Sequence, residues 1–274
     1  MTEHFPVTDP LGTPYGPVMA ERTVVISGGG TGIGLATAHS FARTGDRTVL
    51  VGRRADVLEA AAAGIDGAVA CPADLTQPSG AATVADFVAR EFGTVDVLIN
   101  NAGGNGLLEP PPGEEVRADP LARVAHNWTV NFRINTLTAV LLTEALCERL
   151  ASPGGRVLFV SSIAAYRGSG SGAYGASKAA LHPYAHDLAR RLGPRGVTVN
   201  VVAPGLIDDT EFFGGPAGGG MSEERRQARV AETLNGRAGT PGDVAETLHW
   251  LSSPAADHIT SQVLQVNGGA ERGH

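Results

Sequence analysis

Residues 23–34 read Thr-Val-Val-Ile-Ser-Gly-Gly-Gly-Thr-Gly-Ile-Gly, a β-branched run that empties into five glycines within seven residues. A helical pattern follows directly, from about Gly32 to Thr44. Strand, glycine turn and helix in that order form a pyrophosphate site. Backbone N–H groups at a helix start carry roughly +0.5 of an elementary charge, and residues without side chains let phosphate oxygens reach them. Gly28, Gly32 and Gly34 are the expected contacts, with Thr31 and Ile33 between them. The spacing is Gly-x-x-x-Gly-x-Gly; the more common Gly-x-Gly-x-x-Gly, begun at Gly28, would need glycine at position 33. The loop holds more glycine than a tight turn requires.

Outward from this stretch, short apolar runs alternate with longer Ala-rich helical patterns, the signature of parallel βαβ units. Strands are expected at Thr23–Ser27, Thr48–Gly52, Ala68–Cys71, Val95–Asn100, Arg156–Ser161, Val197–Val202 and Gln262–Val266. Helices are expected at Gly32–Thr44, Ala55–Ala63, Ser79–Glu91, Leu121–Leu150, Tyr174–Leu192, Glu223–Asn235 and Asp243–Leu251. Strand runs such as Val157-Leu158-Phe159-Val160 are continuous rather than alternating, so helices should cover both faces of one wide parallel sheet. Residues 1–20 read as a flexible Pro- and Gly-rich arm, and 21–274 as a single domain. Two loop segments, Gly103–Pro120 and Gly214–Gly220, leave strands on the carboxyl edge, where ligands bind in open α/β sheets. They are the candidate lids, within wider substrate-loop segments at 103–120 and 206–236.

Composition narrows the classes. The 274 residues are 42% hydrophobic and 18% charged, enough for a large core and too little charge for a disordered chain. Net charge is −7 with no basic stripe, which argues against nucleic acid or an anionic membrane as a partner. Prolines at 6, 10, 14 and 17 interrupt the first twenty residues, so no secretory signal is expected, and no apolar run is long enough to span a bilayer. Two distant cysteines, Cys71 and Cys147, fit neither a disulfide framework nor a zinc site; a soluble protein of the reducing cytoplasm is expected.

Chemistry is concentrated at three places. The second strand ends in Gly52-Arg53-Arg54, about 20 residues after the glycine loop, where an acidic residue would hold a ribose 2′-hydroxyl. Guanidinium groups there would instead grip a 2′-phosphate, which favours NADP(H) over NAD(H). Residues 174–178 read Tyr-Gly-Ala-Ser-Lys, and a spacing of four puts phenol and ammonium on one helix face. Phenolate at neutral pH costs about 4 kcal/mol from a reference pKa near 10, and an adjacent cation reduces that cost. Lys178 is the only lysine, beside 20 arginines. Upstream, Ser161 and Ser162 stand at a strand end, 13 and 12 residues before Tyr174, where a hydroxyl can donate to a developing alkoxide.

Together, Ser-Gly-Gly-Gly-Thr-Gly-Ile-Gly at 27–34, Asn-Asn-Ala-Gly at 100–103, Ser162, Tyr174-x-x-x-Lys178 and Pro204-Gly205 resemble the short-chain dehydrogenase/reductase family, in its motif order and over roughly residues 21–270. The 3-oxoacyl reductase-like branch is the nearest in character. The resemblance implies a doubly wound, Rossmann-type seven-stranded parallel sheet. It implies Tyr174 as general acid/base, Lys178 as the group that lowers its pKa and binds the nicotinamide ribose, and Ser162 as the group that orients the carbonyl. The family serine usually lies about 13 before the tyrosine, so Ser161 competes with Ser162. The family asparagine that holds a proton-relay water maps to Asn135, with Asn131 one turn earlier as the competitor. Asp74 and Leu75 would lie beside the adenine, Asn100, Ala102 and Gly103 along the cofactor, and Pro204 and Gly205 near the nicotinamide. Family members are commonly homotetramers, so a homo-oligomer is implied.

There are departures. The threonine after Pro-Gly usually lies nearer than Thr210, Thr31 stands where NADP-using members often carry Arg or Lys, and Ser261 stands where Gly is frequent. His182 and His186 are one turn apart but lack a third metal ligand, and read as helix-surface or subunit-contact residues. Arg133 reads as a packing residue or a contact for an anionic substrate. Leu107, Leu108, Phe212 and Phe213 suggest an apolar pocket wall. The functional expectation is hydride transfer between NADP(H) and the carbonyl of a small ketone or oxoacyl substrate, or its secondary alcohol. An NAD-dependent alcohol dehydrogenase and a non-catalytic dinucleotide sensor or scaffold are the alternatives.

Overall fold

The computed structural model describes residues 21–106, 113–168, 170, 172–210, 212 and 221–271. Seven parallel strands form one sheet in the order β3-β2-β1-β4-β5-β6-β7. They are β1 (Thr23–Ser27), β2 (Arg47–Gly52), β3 (Ala68–Pro72), β4 (Val97–Asn100), β5 (Arg156–Val160), β6 (Thr198–Pro204) and β7 (Val263–Val266). Strand order reverses at β1, which pairs with β2 on one side and β4 on the other, and such a switch point opens a crevice beyond the carboxyl ends of the strands. The expected fold class therefore holds, with strand limits moved by one or two residues. The largest moves are at Val95, which makes only an isolated bridge to Leu150, and in β6, which runs on to Pro204.

Alternate residues of each strand feed two core layers, as the two-residue side-chain period requires. Val25, Val49, Leu98, Val157 and Phe159 pack with Val84 and Val88 of α3 (Pro78–Glu91), Leu142 and Leu146 of α6 (Thr138–Leu146), and Leu188 of α9 (Leu181–Leu192). Val24, Ile26, Leu50, Ile99 and Leu158 pack on the other face with Phe41 of α1 (Gly32–Ala42), Leu58 of α2 (Ala55–Ala63) and Leu248 of α11 (Pro241–Leu251). Each fully buried Leu, Ile or Phe is worth about 1.5–3 kcal/mol relative to exposure.

Three helical expectations are corrected. The stretch expected as one helix over 121–150 begins at α5 (Pro120–Phe132), where Asp119 accepts from the Leu121 N–H and Pro120 fills the first turn. It then widens into a π turn over Arg133–Leu137 and tightens into a 3-10 turn over Cys147–Arg149. The expected helix 174–192 is two, α8 (Ala173–Ala179) and α9, broken at Ala180. Pro183 accounts for the break, because its ring nitrogen cannot donate to the Ala179 carbonyl. Part of the expected loop after β4 is helical, as α4 (Glu114–Ala118), and α7 (Ala164–Arg167) follows β5. Helix α10 spans Glu223–Ala231, shorter than expected. The candidate lid 214–220, the arm 1–20, and Leu107, Leu108 and Phe213 lie outside the described residues.

Candidate active site

The first βα turn is built for close backbone approach. Gly28 and Gly32 have φ of +67° and +52°, a region that favours glycine, and a Cβ on Gly34 would stand 2.0 Å from the Gly28 carbonyl oxygen. The turn is fixed from both neighbouring strands. The Gly28 N–H donates to the Val51 carbonyl at 2.7 Å, and Asn101 Nδ2 donates to the carbonyls of Ser27 and Gly28 at 3.0 and 3.3 Å. Ser27 Oγ accepts from the N–H groups of Asn101 and Ala102, both at 3.0 Å, so β1 and the loop after β4 form one rigid floor. Among the described residues, the first turn of α1 carries no acidic side chain to compete for its N–H groups. Thr210 reaches this turn as well, 3.5 Å from a Cβ built on Gly32, although it lies farther from Pro204-Gly205 than expected; Asp209, at φ +55°, bends the chain back.

Along the carboxyl edge, Arg53 and Arg54 follow β2 and are exposed. Asp74 is exposed too, its carboxylate accepting from the Thr76 N–H and hydroxyl at 3.0 and 2.8 Å, whereas Leu75 is buried in the core. Asn100 stands at the end of β4 with its side chain turned into the core, where Nδ2 donates to Thr143 Oγ1 at 2.9 Å, since Asn100 shares the sheet face of Leu98. Asn101, absent from the expected set, is the residue that shapes the turn.

Four expected residues converge beyond β4 and β5. Ser162 lies close enough to Tyr174 for its hydroxyl to favour the phenolate, and its Oγ accepts from the Ala164 N–H at 3.1 Å. Ser161 is instead buried, its Oγ 3.1 Å from the Lys178 carbonyl and 2.8 Å from His182 Nε2. Pro204 accepts from the Ile163 N–H at 2.8 Å, which pins the end of β6 beside Ser162. Asn135, in the π turn and fully buried, accepts from the Gly104 N–H at 2.9 Å and donates to the Gly104 carbonyl at 2.9 Å. A π turn inserts one residue into a helix, and here it brings Asn135 against the loop after β4. Asn131 holds Gly106, accepting from its N–H at 3.2 Å. Gly103 fits between Asn135 and Lys178, where a Cβ would be 2.5 Å from Asn135 Oδ1 and 2.8 Å from Lys178 Nζ.

The electrostatics differ from the expectation for Tyr174. Burial pushes its phenol up to about 12, against a smaller lowering by the Ser162 hydrogen bond, so the phenol is protonated at neutral pH. Burial also brings the Lys178 ammonium down to about 8, and Lys178 Nζ donates to the Val160 carbonyl at 2.8 Å. In this arrangement Lys178 is not among the groups that lower the Tyr174 pKa. The Phe212 ring lies 5.2 Å from the Tyr174 ring and walls the site on its apolar side. His182 is half-buried rather than a surface residue. Among the described residues, no group of three His, Cys, Asp or Glu is placed to hold a metal, and no helix is long and apolar enough to cross a membrane.

The crevice at the switch point, its glycine cradle and the Ser-Tyr-Lys arrangement define an oxidoreductase of the dinucleotide-binding kind, and the chain belongs to the short-chain dehydrogenase/reductase family. The family model that matches residues 28–271 is described as enoyl-(acyl carrier protein) reductase. The 3-oxoacyl-[acyl-carrier-protein] reductase FabG of Escherichia coli is 30% identical over 90% of this chain and 96% of its own length. The 7alpha-hydroxysteroid dehydrogenase of the same organism is 31% identical, over 90% of this chain and 93% of its own. Among solved structures, a short chain dehydrogenase from Burkholderia cenocepacia in complex with NADP is 30% identical, with a TM-score of 0.76 over 91% of this chain and 97% of that one.

Proposed function

We propose that the protein is an NADP(H)-dependent reductase of ketone or oxoacyl carbonyls, working in reverse on the corresponding secondary alcohols. The observation that carries this reading is the convergence of Ser162, at the end of β5, with the buried Tyr174 and Lys178 one turn apart on α8. Two neighbouring hydroxyls suit an oxygen that gains negative charge as its carbon accepts hydride. A bound dinucleotide supplies that hydride. Tyr174 holds its proton at neutral pH, the state reduction needs, and delivers it to the carbonyl oxygen. Lys178, charged at neutral pH and buried one turn from the phenol, holds the nicotinamide ribose, and Ser162 orients the carbonyl. Asn135 keeps the loop at Gly104 in place and holds a water for proton return.

For the dinucleotide, the cradle that a Cβ would fill at Gly28 and Gly34 supports pyrophosphate binding by Gly28, Thr31, Gly32, Ile33 and Gly34. Arg53 and Arg54 would take a 2′-phosphate, Asp74 and Leu75 the adenine, the backbone of Asn100, Ala102 and Gly103 the middle of the molecule, and Tyr174, Lys178, Pro204 and Gly205 the nicotinamide end. NADP named with the Burkholderia relative and the basic pair at the end of β2 both support NADP(H). Phe212 beside Tyr174 favours a substrate with an apolar group next to the carbonyl.

Titration with NADPH and NADH at equal salt, together with Tyr174→Phe, tests the reading. NADPH should bind at least tenfold tighter, about 1.4 kcal/mol, and Arg53→Ala with Arg54→Ala should erase the difference. Tyr174→Phe should lose turnover of ketone substrates at least a thousandfold while NADPH binding stays within threefold. Equal affinities would move the assignment to NAD(H); full turnover in Tyr174→Phe would overturn the mechanism.

A further inference from the structure

The end of β5 is stitched to the helix of Tyr174 at three successive residues. The Val160 carbonyl accepts from Lys178 Nζ at 2.8 Å, Ser161 Oγ bonds the Lys178 carbonyl at 3.1 Å, and Ser162 is near enough to Tyr174 to favour its phenolate. The middle stitch depends on a side chain from beyond the Ala180 break: His182 Nε2 lies 2.8 Å from Ser161 Oγ. A hydroxyl has one proton and the Lys178 carbonyl can only accept, so Ser161 donates to Lys178 and His182 must donate Nε2–H to Ser161. That sets one relay, from imidazole through hydroxyl to carbonyl, and one tautomer. The same imidazole packs against Tyr166, ring centroids 5.3 Å apart, on the helix that follows Ser162. His182 thus touches the chain on both sides of Ser162 without touching Ser162. An apolar side chain would fill the space and leave the Ser161 hydroxyl without its donor.

We propose that Ser161 and His182 are a positioning pair that holds Ser162 in register with Tyr174, an inference that rests on the carbonyl-reductase reading for its effect on turnover. Neither residue reaches the reacting atoms; the pair acts through the β5 terminus.

The test uses the full chain with NADPH and ethyl acetoacetate as probe, in wild type, His182→Leu, His182→Gln, Ser161→Ala and the Ser161→Ala/His182→Leu double variant. The Tyr174 signal in protein labelled with 13Cζ-tyrosine, assigned through Tyr174→Phe, is followed at pH 7.5 as a reporter of the phenol hydrogen bond. His182→Leu should lower kcat at least tenfold with the NADPH Kd within twofold, and should shift the Tyr174 signal. His182→Gln, whose amide can donate to Ser161, should restore kcat to within threefold and return the signal. Ser161→Ala should match His182→Leu, and the double variant should be no worse than either single one. An unmoved Tyr174 signal in both His182→Leu and Ser161→Ala overturns the pair, as does an unchanged kcat in both. If the wild type binds NADPH but does not turn over the probe, the carbonyl reading loses its support, and the Tyr174 signal alone decides the pair.

Discussion

Replacing Gly103 by alanine should disable the site while sparing the nucleotide loop. The added Cβ would stand 2.5 Å from Asn135 Oδ1 and 2.8 Å from Lys178 Nζ, so the amide must retreat by about 0.9 Å to reach ordinary contact at 3.4 Å. Asn135 has no room to do so at constant bonding. It is fully buried and held by two 2.9 Å hydrogen bonds to Gly104 and one of 3.0 Å to the Asn131 carbonyl. A retreat along the line of contact carries the Gly104 bonds beyond hydrogen-bonding distance, at about 1 kcal/mol each. Overpacking adds about 1 kcal/mol more. The total, about 3 kcal/mol, corresponds to a fall in Tm of about 6–12 °C at about 2–4 °C per kcal/mol for a chain of this size. Thermal unfolding without nucleotide measures the loss. A parallel titration should find NADPH bound more weakly, because Gly103 and Lys178 line the proposed cofactor path, while the Gly28 turn itself stays held by Asn101 and Val51. Ketone turnover should fall at least tenfold as Lys178 is displaced. A variant with Tm within 1 °C of wild type and undiminished turnover would refute the packing argument.

Two further outcomes follow from charge and burial. Burial brings the Lys178 ammonium down to about 8 from its ordinary 10.5, so when charged it favours the unfolded chain; its destabilising effect is full below pH 8 and fades as pH rises toward 10.5. Lys178→Met should therefore be more stable than wild type at pH 7, with a gap that narrows between pH 8 and 10.5 in guanidinium unfolding; a constant gap would refute the linkage. Asp46 is 3% exposed and accepts from Arg22 Nε and Nη2 at 2.9 and 2.6 Å, tying the start of β1 to the turn before β2. Asp46→Asn removes the counter-charge and one acceptor from that guanidinium, which keeps the Ser252 carbonyl, and should cost about 3 kcal/mol in urea unfolding with turnover unchanged; a cost below about 1 kcal/mol would show the ion pair to be incidental.

The sheet was legible because its signals are local: continuous β-branched runs, glycine at the first turn, and helical patterns between them. The candidate site was legible where residue type and spacing lie within one element, as with Tyr174 and Lys178. Where the reading fell short, the causes are physical. The π turn at Arg133–Leu137 leaves no mark in apolar periodicity, because the residues on either side remain helical. The break before α9 did leave a mark, Pro183, five residues after Lys178. Asn100 could have been placed by the strand period, since Leu98 and Asn100 must share a face. His182 is different in kind: its partner Ser161 lies 21 residues upstream on another element, a pairing that only the tertiary fold creates.

The strand order has a consequence for synthesis. β1 sits in the middle of the sheet, yet its two neighbours arrive far apart: β2 begins at residue 47 and β4 at residue 97. As the chain emerges, β1, β2 and β3 can assemble among themselves, but the other side of β1 keeps its N–H and C=O groups unpaired until some seventy further residues have been made. An apolar strand with an open edge is a template for pairing with another chain. The interval between translation of Ser27 and of Val97 is therefore when this nascent chain most needs shielding, and what closes the interval is β4, the strand that also completes the crevice floor.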